Sequence, residues 1–147
     1  MNLRSSFFDK GFVTPIDVLS KEEANSIFND YNNFLNENDL KNSEIVEHKS
    51  KTHLFFPWAN KLIFNKKILN CVREILGENF FCWNSLIFYK KPRSSSFVSM
   101  HQDQNYWGIQ QDKALTVSLA LNDSNEKNGC LKILPKSHLK DYSHHNS

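Results

Sequence analysis

Met100-His101-Gln102-Asp103-Gln104-Asn105-Tyr106-Trp107 sets two metal-binding side-chain types two residues apart. In an extended backbone His101 and Asp103 leave the same face, so both can close on one ion. Imidazole with carboxylate suits a mid-series divalent metal, and is two thirds of the two-histidine, one-carboxylate facial triad of non-haem Fe(II) sites. The triplet alone is weak. With six His in the chain, chance yields about one His-x-Asp in every three chains of this composition. The plain alternative is a surface strand pair in which the two side chains bond to each other. The flanking sequence has to decide.

Upstream, residues 80–89 are rich in aromatic and β-branched side chains, and 92–96 form a breaker cluster. Downstream, Leu115, Val117, Leu119 and Leu121 alternate with Thr116, Ser118 and Ala120, which predicts a strand over 115–121. Asn122 to Asn125 and Asn128-Gly129 are turn chemistry, and a second strand is expected over 130–134 before Pro135 stops it.

The first half has a different texture. Ser20-Lys21-Glu22-Glu23 matches a capping box, and Ala24, Ile27, Phe28, Tyr31, Phe34 and Leu35 then recur at helical steps, predicting a helix over 21–36. Ile68, Leu69, Val72, Ile75 and Leu76 mark a second helix over 66–76, ended by Gly77 in the left-handed C-cap role. Residues 7–18 suit a short opening segment and strand, and 36–50 a loop. The aromatic run 54–64 fits no single period. Helices first and strands afterwards mean α+β, or a β sandwich or barrel with a helical front.

A chain of 147 residues fits one domain. Thirteen per cent aromatic content argues for a packed core, and a net charge of +2, dispersed along the chain, gives no electrostatic footprint for nucleic acid. Arg occurs only at Arg4, Arg73 and Arg93, so no natural carboxylate clamp follows the His101 motif. Cys71, Cys82 and Cys130 are odd in number and widely spaced, and are expected as buried free thiols. With neither a signal-type apolar start nor an 18-residue apolar run, the expectation is a soluble cytoplasmic protein without a membrane partner.

Taken in order, these stretches resemble the phytanoyl-CoA dioxygenase family of Fe(II) and 2-oxoglutarate dependent oxygenases. Phe12-Val13 and Val18 to Glu23 are similar to the family's opening. Gly77-Glu78-Asn79, Trp83-Asn84-Ser85 and Lys90-Lys91-Pro92 resemble the entry to its barrel, and His101-Gln102-Asp103 with Tyr106-Trp107 resembles its iron motif. Leu119-Ala120-Leu121, Asn128 to Leu131 and Leu134-Pro135-Lys136-Ser137-His138 are similar to the following hairpin and its ending, where the family usually has Gly in place of Lys136.

The resemblance implies an α+β chain with a mainly β core: a double-stranded β-helix (a cupin-like jelly roll) with N-terminal helices packed on it. It implies one oxygenase-like domain over 1–147, comprising a helical front with a short strand over 1–78, the first part of the jelly roll over 79–139, and a polar tail over 140–147. It also implies Fe(II), 2-oxoglutarate as co-substrate, O2, and hydroxylation of a small organic substrate. His101 and Asp103 would be the metal ligands, with no catalytic residue beyond them. Gln102 and Lys90 or Lys91 would hold the co-substrate, and Tyr106 and Trp107 would border the substrate pocket. A carboxylate at Asp103 marks the hydroxylating type, since related halogenases have a small residue there.

Family members continue past the Pro-x-Ser-His segment to a second iron histidine and an arginine for 2-oxoglutarate. This chain is therefore expected to be a C-terminally truncated member, its jelly roll incomplete, with His138 in a structural position and His144 and His145 in a polar tail that reads most simply as a frayed terminus rather than as the third ligand. The competing expectation is a non-catalytic jelly-roll fragment or interaction module. Oligomeric state is not encoded in any of these motifs.

Overall fold

The structure, a computed structural model, describes residues 2–38, 40, 49–90, 93, 97–103, 107 and 114–140. Its helical front contains α1 (Leu3–Lys10), α2 (Lys21–Glu37), α3 (Thr52–Phe55), α4 (Pro57–Ile63) and α5 (Lys66–Leu76). Beyond them lie 3-10 turns at Glu126–Asn128 and Ser137–Leu139.

α2 forms where the sequence places it. The Ser20 hydroxyl accepts the Glu23 N–H at 3.1 Å and the Glu23 carboxylate accepts the Ser20 N–H at 2.7 Å, satisfying two donors that a helix start leaves unpaired. Its apolar stripe turns inward, with Tyr31 and Leu35 buried and Ala24, Ile27, Phe28 and Phe34 half-buried. α5 also keeps its expected bounds, opened by Asn65, whose side chain accepts from the N–H groups of Lys67 and Ile68. Gly77 stops it with its N–H on the Arg73 carbonyl, but at φ 91°, ψ −168° rather than in the left-handed helical region. That extended positive-φ conformation still demands glycine.

The unassigned run 54–64 resolves into two helices because of Pro57. Proline lacks an N–H and pushes the preceding residue out of the helical region, so Phe56 adopts φ −111°, ψ 119° and ends α3. Pro57 then serves as the first residue of α4, where its missing N–H costs nothing. The break drives Phe56 into the core, edge-on to Phe34 at 4.9 Å and Tyr31 at 6.1 Å and stacked on Trp58 at 5.2 Å. Tyr31, Leu35, Phe56 and Ala59 form the buried cluster, with Ile87 and Tyr89 packed against it.

Burial of the Tyr31 hydroxyl, reinforced by Tyr89, pushes its pKa up to about 12. The folded value lies above the usual 10, so the associated stability is complete below pH 10 and is lost as pH rises through 12. Urea melts between pH 9 and pH 12 are expected to show a fall of about 2–3 kcal/mol that is largely absent in Tyr31→Phe.

The opening segment differs from expectation. Leu3–Lys10 is helical, capped by the Asn2 side chain on the Ser5 N–H and closed by Gly11 at φ 87° with its N–H on the Phe7 carbonyl. Phe12 and Val13, expected in a strand, pair with no neighbour strand among the described residues. The residues between Asn2 and Gly11 have low amphipathicity, so no helical period marks this helix in the sequence. The cysteines also differ, because Cys71 and Cys130 are half-buried and Cys82 is exposed, though all three are free.

In the second half the described residues show one isolated antiparallel bridge, Ser50 with Leu86, flanked by Thr52 N–H to the Ser85 carbonyl and Ile87 N–H to the Lys49 carbonyl. Side-chain alternation is nonetheless present. Ser85, Ile87 and Tyr89 turn inward while Leu86 and Phe88 face out, and Leu115, Leu119 and Leu121 are less exposed than Val117. Alternation fixes a segment's two faces but not the strand it pairs with, and no ladder joins 115–121 to 130–134 among the described residues. Large apolar side chains consequently stand in solvent, among them Phe81, Phe88 and Phe97, each more than three-quarters exposed.

Candidate metal centre

His101 and Asp103 come together on one side of their segment, with Nε2 to Oδ1 at 3.0 Å. Each is oriented from behind. The His101 Nδ1 lies 2.8 Å from the Ser99 carbonyl, which can only accept, so Nδ1 carries the hydrogen and Nε2 turns towards Asp103. The Thr116 hydroxyl donates to Asp103 Oδ2 at 2.8 Å, leaving Oδ1 as the oxygen beside the imidazole.

This pair fits a metal. Two cis ligands with bonds of about 2.1 Å at a right angle stand about 3 Å apart, which matches the observed separation. The same separation serves a direct imidazole–carboxylate hydrogen bond, so the geometry accommodates either a proton or a cation between Nε2 and Oδ1. The flanking bonds are of the kind that fix ligand tautomer and carboxylate orientation in metal sites. Among the described residues no cluster of three or more His, Cys, Asp or Glu is assembled.

The other expected residues distribute as follows. The Gln102 side-chain amide donates to the carbonyls of Ser137 at 3.0 Å and Lys140 at 2.9 Å. Lys90 donates from Nζ to the Gly129 carbonyl at 2.8 Å, tying the end of 80–90 to the turn around Asn128. That turn is built by Asn125 and Asn128, which cap each other, with Gly129 at φ 81°. Trp107 is half-buried. Lys91, Tyr106, His144 and His145 lie outside the described residues, as does His48. His53 places Nδ1 2.6 Å from the Ser85 hydroxyl, which also accepts the His53 backbone N–H and contacts the Thr52 hydroxyl, so it stitches α3 to the 84–86 segment.

Thr116 and Ser99 were not singled out from sequence. Thr116 had a legible signal, being a polar position in the alternating 115–121 run on the register that meets the motif; Ser99 acts through its backbone carbonyl, which no side-chain pattern reveals.

His138 donates from Nε2 to the Phe8 carbonyl at 2.9 Å, at the far end of the chain. Beside it, Lys136 sits at φ 63°, ψ 9°. A side chain with a Cβ pays about 1 kcal/mol in this left-handed region, which accounts for the glycine usual there in the family. Lys136→Gly removes that strain and loses only an exposed ion pair with Asp9. It is expected to raise stability by about 0.5–1 kcal/mol in urea denaturation.

Comparison with known proteins defines the class. The family model for phytanoyl-CoA dioxygenase (PhyH) matches residues 9–146. The chain belongs to the phytanoyl-CoA dioxygenase family.

Over 156 aligned residues the chain is 31% identical to a probable alpha-ketoglutarate-dependent hypophosphite dioxygenase of Stutzerimonas stutzeri, covering 95% of this chain and 54% of that protein. It is 33% identical over 92 residues to a phytanoyl-CoA dioxygenase domain-containing protein 1 homolog of Caenorhabditis elegans, covering 62% of this chain and 32% of the relative. To an ectoine dioxygenase of Bordetella bronchiseptica it is 30% identical over 90 residues, covering 58% and 29%. The chain spans about half the length, or less, of these curated relatives. No solved structure matches it. Among the described residues no helix is long and apolar enough to cross a membrane.

Proposed function

We propose that this chain carries the His-x-Asp side of a non-haem Fe(II), 2-oxoglutarate dependent oxygenase centre that hydroxylates a small organic substrate with O2. The observation that carries this reading is the pair His101 Nε2 and Asp103 Oδ1 at the 3.0 Å bite of two adjacent metal positions, each backed by a hydrogen bond. Family membership and a relative named as alpha-ketoglutarate-dependent support the choice of iron and oxoacid. On this reading the alternating segments 80–90, 115–121 and 130–134 belong to a jelly roll.

Bound iron with 2-oxoglutarate would supply O2 activation and oxidation of an unactivated carbon. The chain's residues do the holding. Ser99 would turn His101 Nε2 towards the ion, Thr116 would present Asp103 through one oxygen, and the Lys90 or Lys91 ammonium would offer charge to a co-substrate carboxylate. Tyr106 and Trp107, next along the chain, border the substrate side. The third protein ligand comes from outside the described residues.

The non-catalytic reading draws on a different observation, the exposure of Phe81, Phe88 and Phe97 on segments that form no extended ladder among the described residues. Such a surface suits a module that is completed by further polypeptide. The two readings part on turnover. Incubation with Fe(II), 2-oxoglutarate, ascorbate and O2 is expected to release succinate above the level of an Asp103→Ala control. Succinate equal in both proteins overturns the oxygenase reading for this chain and favours the module.

A further inference from the structure

The turn at 135–140 is bound on two sides. Towards the chain start, the His138 imidazole donates to the Phe8 carbonyl, the Lys136 N–H donates to the Lys10 carbonyl at 2.8 Å, and Lys136 Nζ pairs with Asp9 at 3.6 Å. The imidazole also lies directly on Gly11, where an added Cβ would stand 2.5 Å from Nδ1. Only glycine permits that approach, so the C-cap of α1 is shaped for this ring. α1 is itself fastened to α5, through Leu3 N–H on the Glu74 carboxylate and the Arg4 guanidinium on the Ile75 carbonyl, each at 2.6 Å.

Towards the metal motif, the same turn receives the Gln102 side chain on the Ser137 and Lys140 carbonyls. Gln102 stands between His101 and Asp103, and its side chain reaches the turn while theirs bond to each other. Neighbouring Phe97, Val98 and Met100 are exposed, so burial does little to hold this segment in place. An amide nitrogen has two hydrogens, and the two carbonyls account for both, which suits Gln102 to anchoring rather than to gripping a co-substrate carboxylate.

We propose that the 137–140 turn is a clasp that sets the metal motif on the helical front, with Gln102 and His138 as positioning residues. The clasp connects α5, α1, His138, the turn and Gln102 in one run of hydrogen bonds ending between the two ligands. Its consequence for metal affinity rests on the reading of His101 and Asp103 as ligands; its consequence for the motif's position does not.

Two readouts keep these apart. In 15N-labelled full-length protein, His138→Leu and Gln102→Met are expected to move the backbone amide signals of residues 99–103, although His138 is more than thirty residues away in sequence. His138→Gln, whose amide nitrogen takes the place of Nε2, is expected to restore the wild-type positions. In parallel, Mn(II) titration followed by EPR is expected to give a Kd 10–100-fold weaker in His138→Leu and Gln102→Met, and near wild type in His138→Gln. Signals of 99–103 that stay put in His138→Leu overturn the clasp. Signals that move while Mn(II) affinity is unchanged overturn the positioning role. If wild-type protein binds no Mn(II) but the signals move and are rescued, the clasp stands and the metal reading of His101 and Asp103 fails.

Discussion

Asp103→Ala is expected to weaken divalent-metal binding by at least about 100-fold while leaving the helical front intact. On the proposed reading the carboxylate is one of two metal donors 3.0 Å apart, and its removal would leave a single imidazole, a ligand of little strength by itself. The carboxylate bonds to His101 and to the exposed Thr116 hydroxyl, so the structural loss is two solvent-accessible hydrogen bonds, on the order of 1–2 kcal/mol. Metal affinity and stability therefore separate in this variant. Calorimetric titration with Mn(II) or Co(II) beside a thermal melt checks it: unchanged affinity, or loss of helix at 25 °C, goes against the assignment. His101→Ala is expected to behave alike, whereas Ser99→Ala should not, because Ser99 contributes only its carbonyl.

Leu35→Ala is expected to cost about 3–4 kcal/mol of the stability of the helical front. Leu35 is 2% exposed and is the largest fully buried side chain among the described residues. Shortening it removes transfer free energy and leaves a cavity in a cluster whose aromatic walls at Phe56 and Tyr31 are held edge-to-face and cannot simply collapse inward. Against a typical domain stability of about 5–15 kcal/mol, that is enough to shift the urea midpoint well to the left. A loss below about 1 kcal/mol would mean that α2 does not pack on the α3–α4 junction as described.

The helical front was legible because its signals are local. Ser20 with Glu23, the 3–4 spacing from Ala24 to Leu35, and Gly77 each act within a few residues, and α2 and α5 match them. Pro57 was visible too, but its effect is to split one aromatic run into two helices, which no single period describes. The β half was legible only as faces. Ile87 and Tyr89 turn inward as alternation requires, yet pairing is a long-range property, and the partner of 115–121 is written nowhere within 115–121.

The site divides in the same way. His101 and Asp103 announce themselves by residue type and spacing, and the resemblance to the family rests on the order of short motifs around them. What orients them was hidden for two reasons. A backbone carbonyl such as that of Ser99 leaves no mark in a sequence, and the ties from Gln102 to 137–140 and from His138 to Phe8 join residues 35 to 130 positions apart. Resemblance to the family implies a co-substrate role for Gln102, and the structure adds that its amide donates to the Ser137 and Lys140 carbonyls.

On the proposed reading His101 and Asp103 form one side of an iron centre that accepts 2-oxoglutarate. An anaerobic titration tests it most directly: Fe(II) is added to the protein, then 2-oxoglutarate, and the visible spectrum is followed. A charge-transfer band that saturates at one iron per chain, requires both additions and disappears in Asp103→Ala is the predicted result. No band in the wild-type protein, or a band of equal strength in Asp103→Ala, would contradict it.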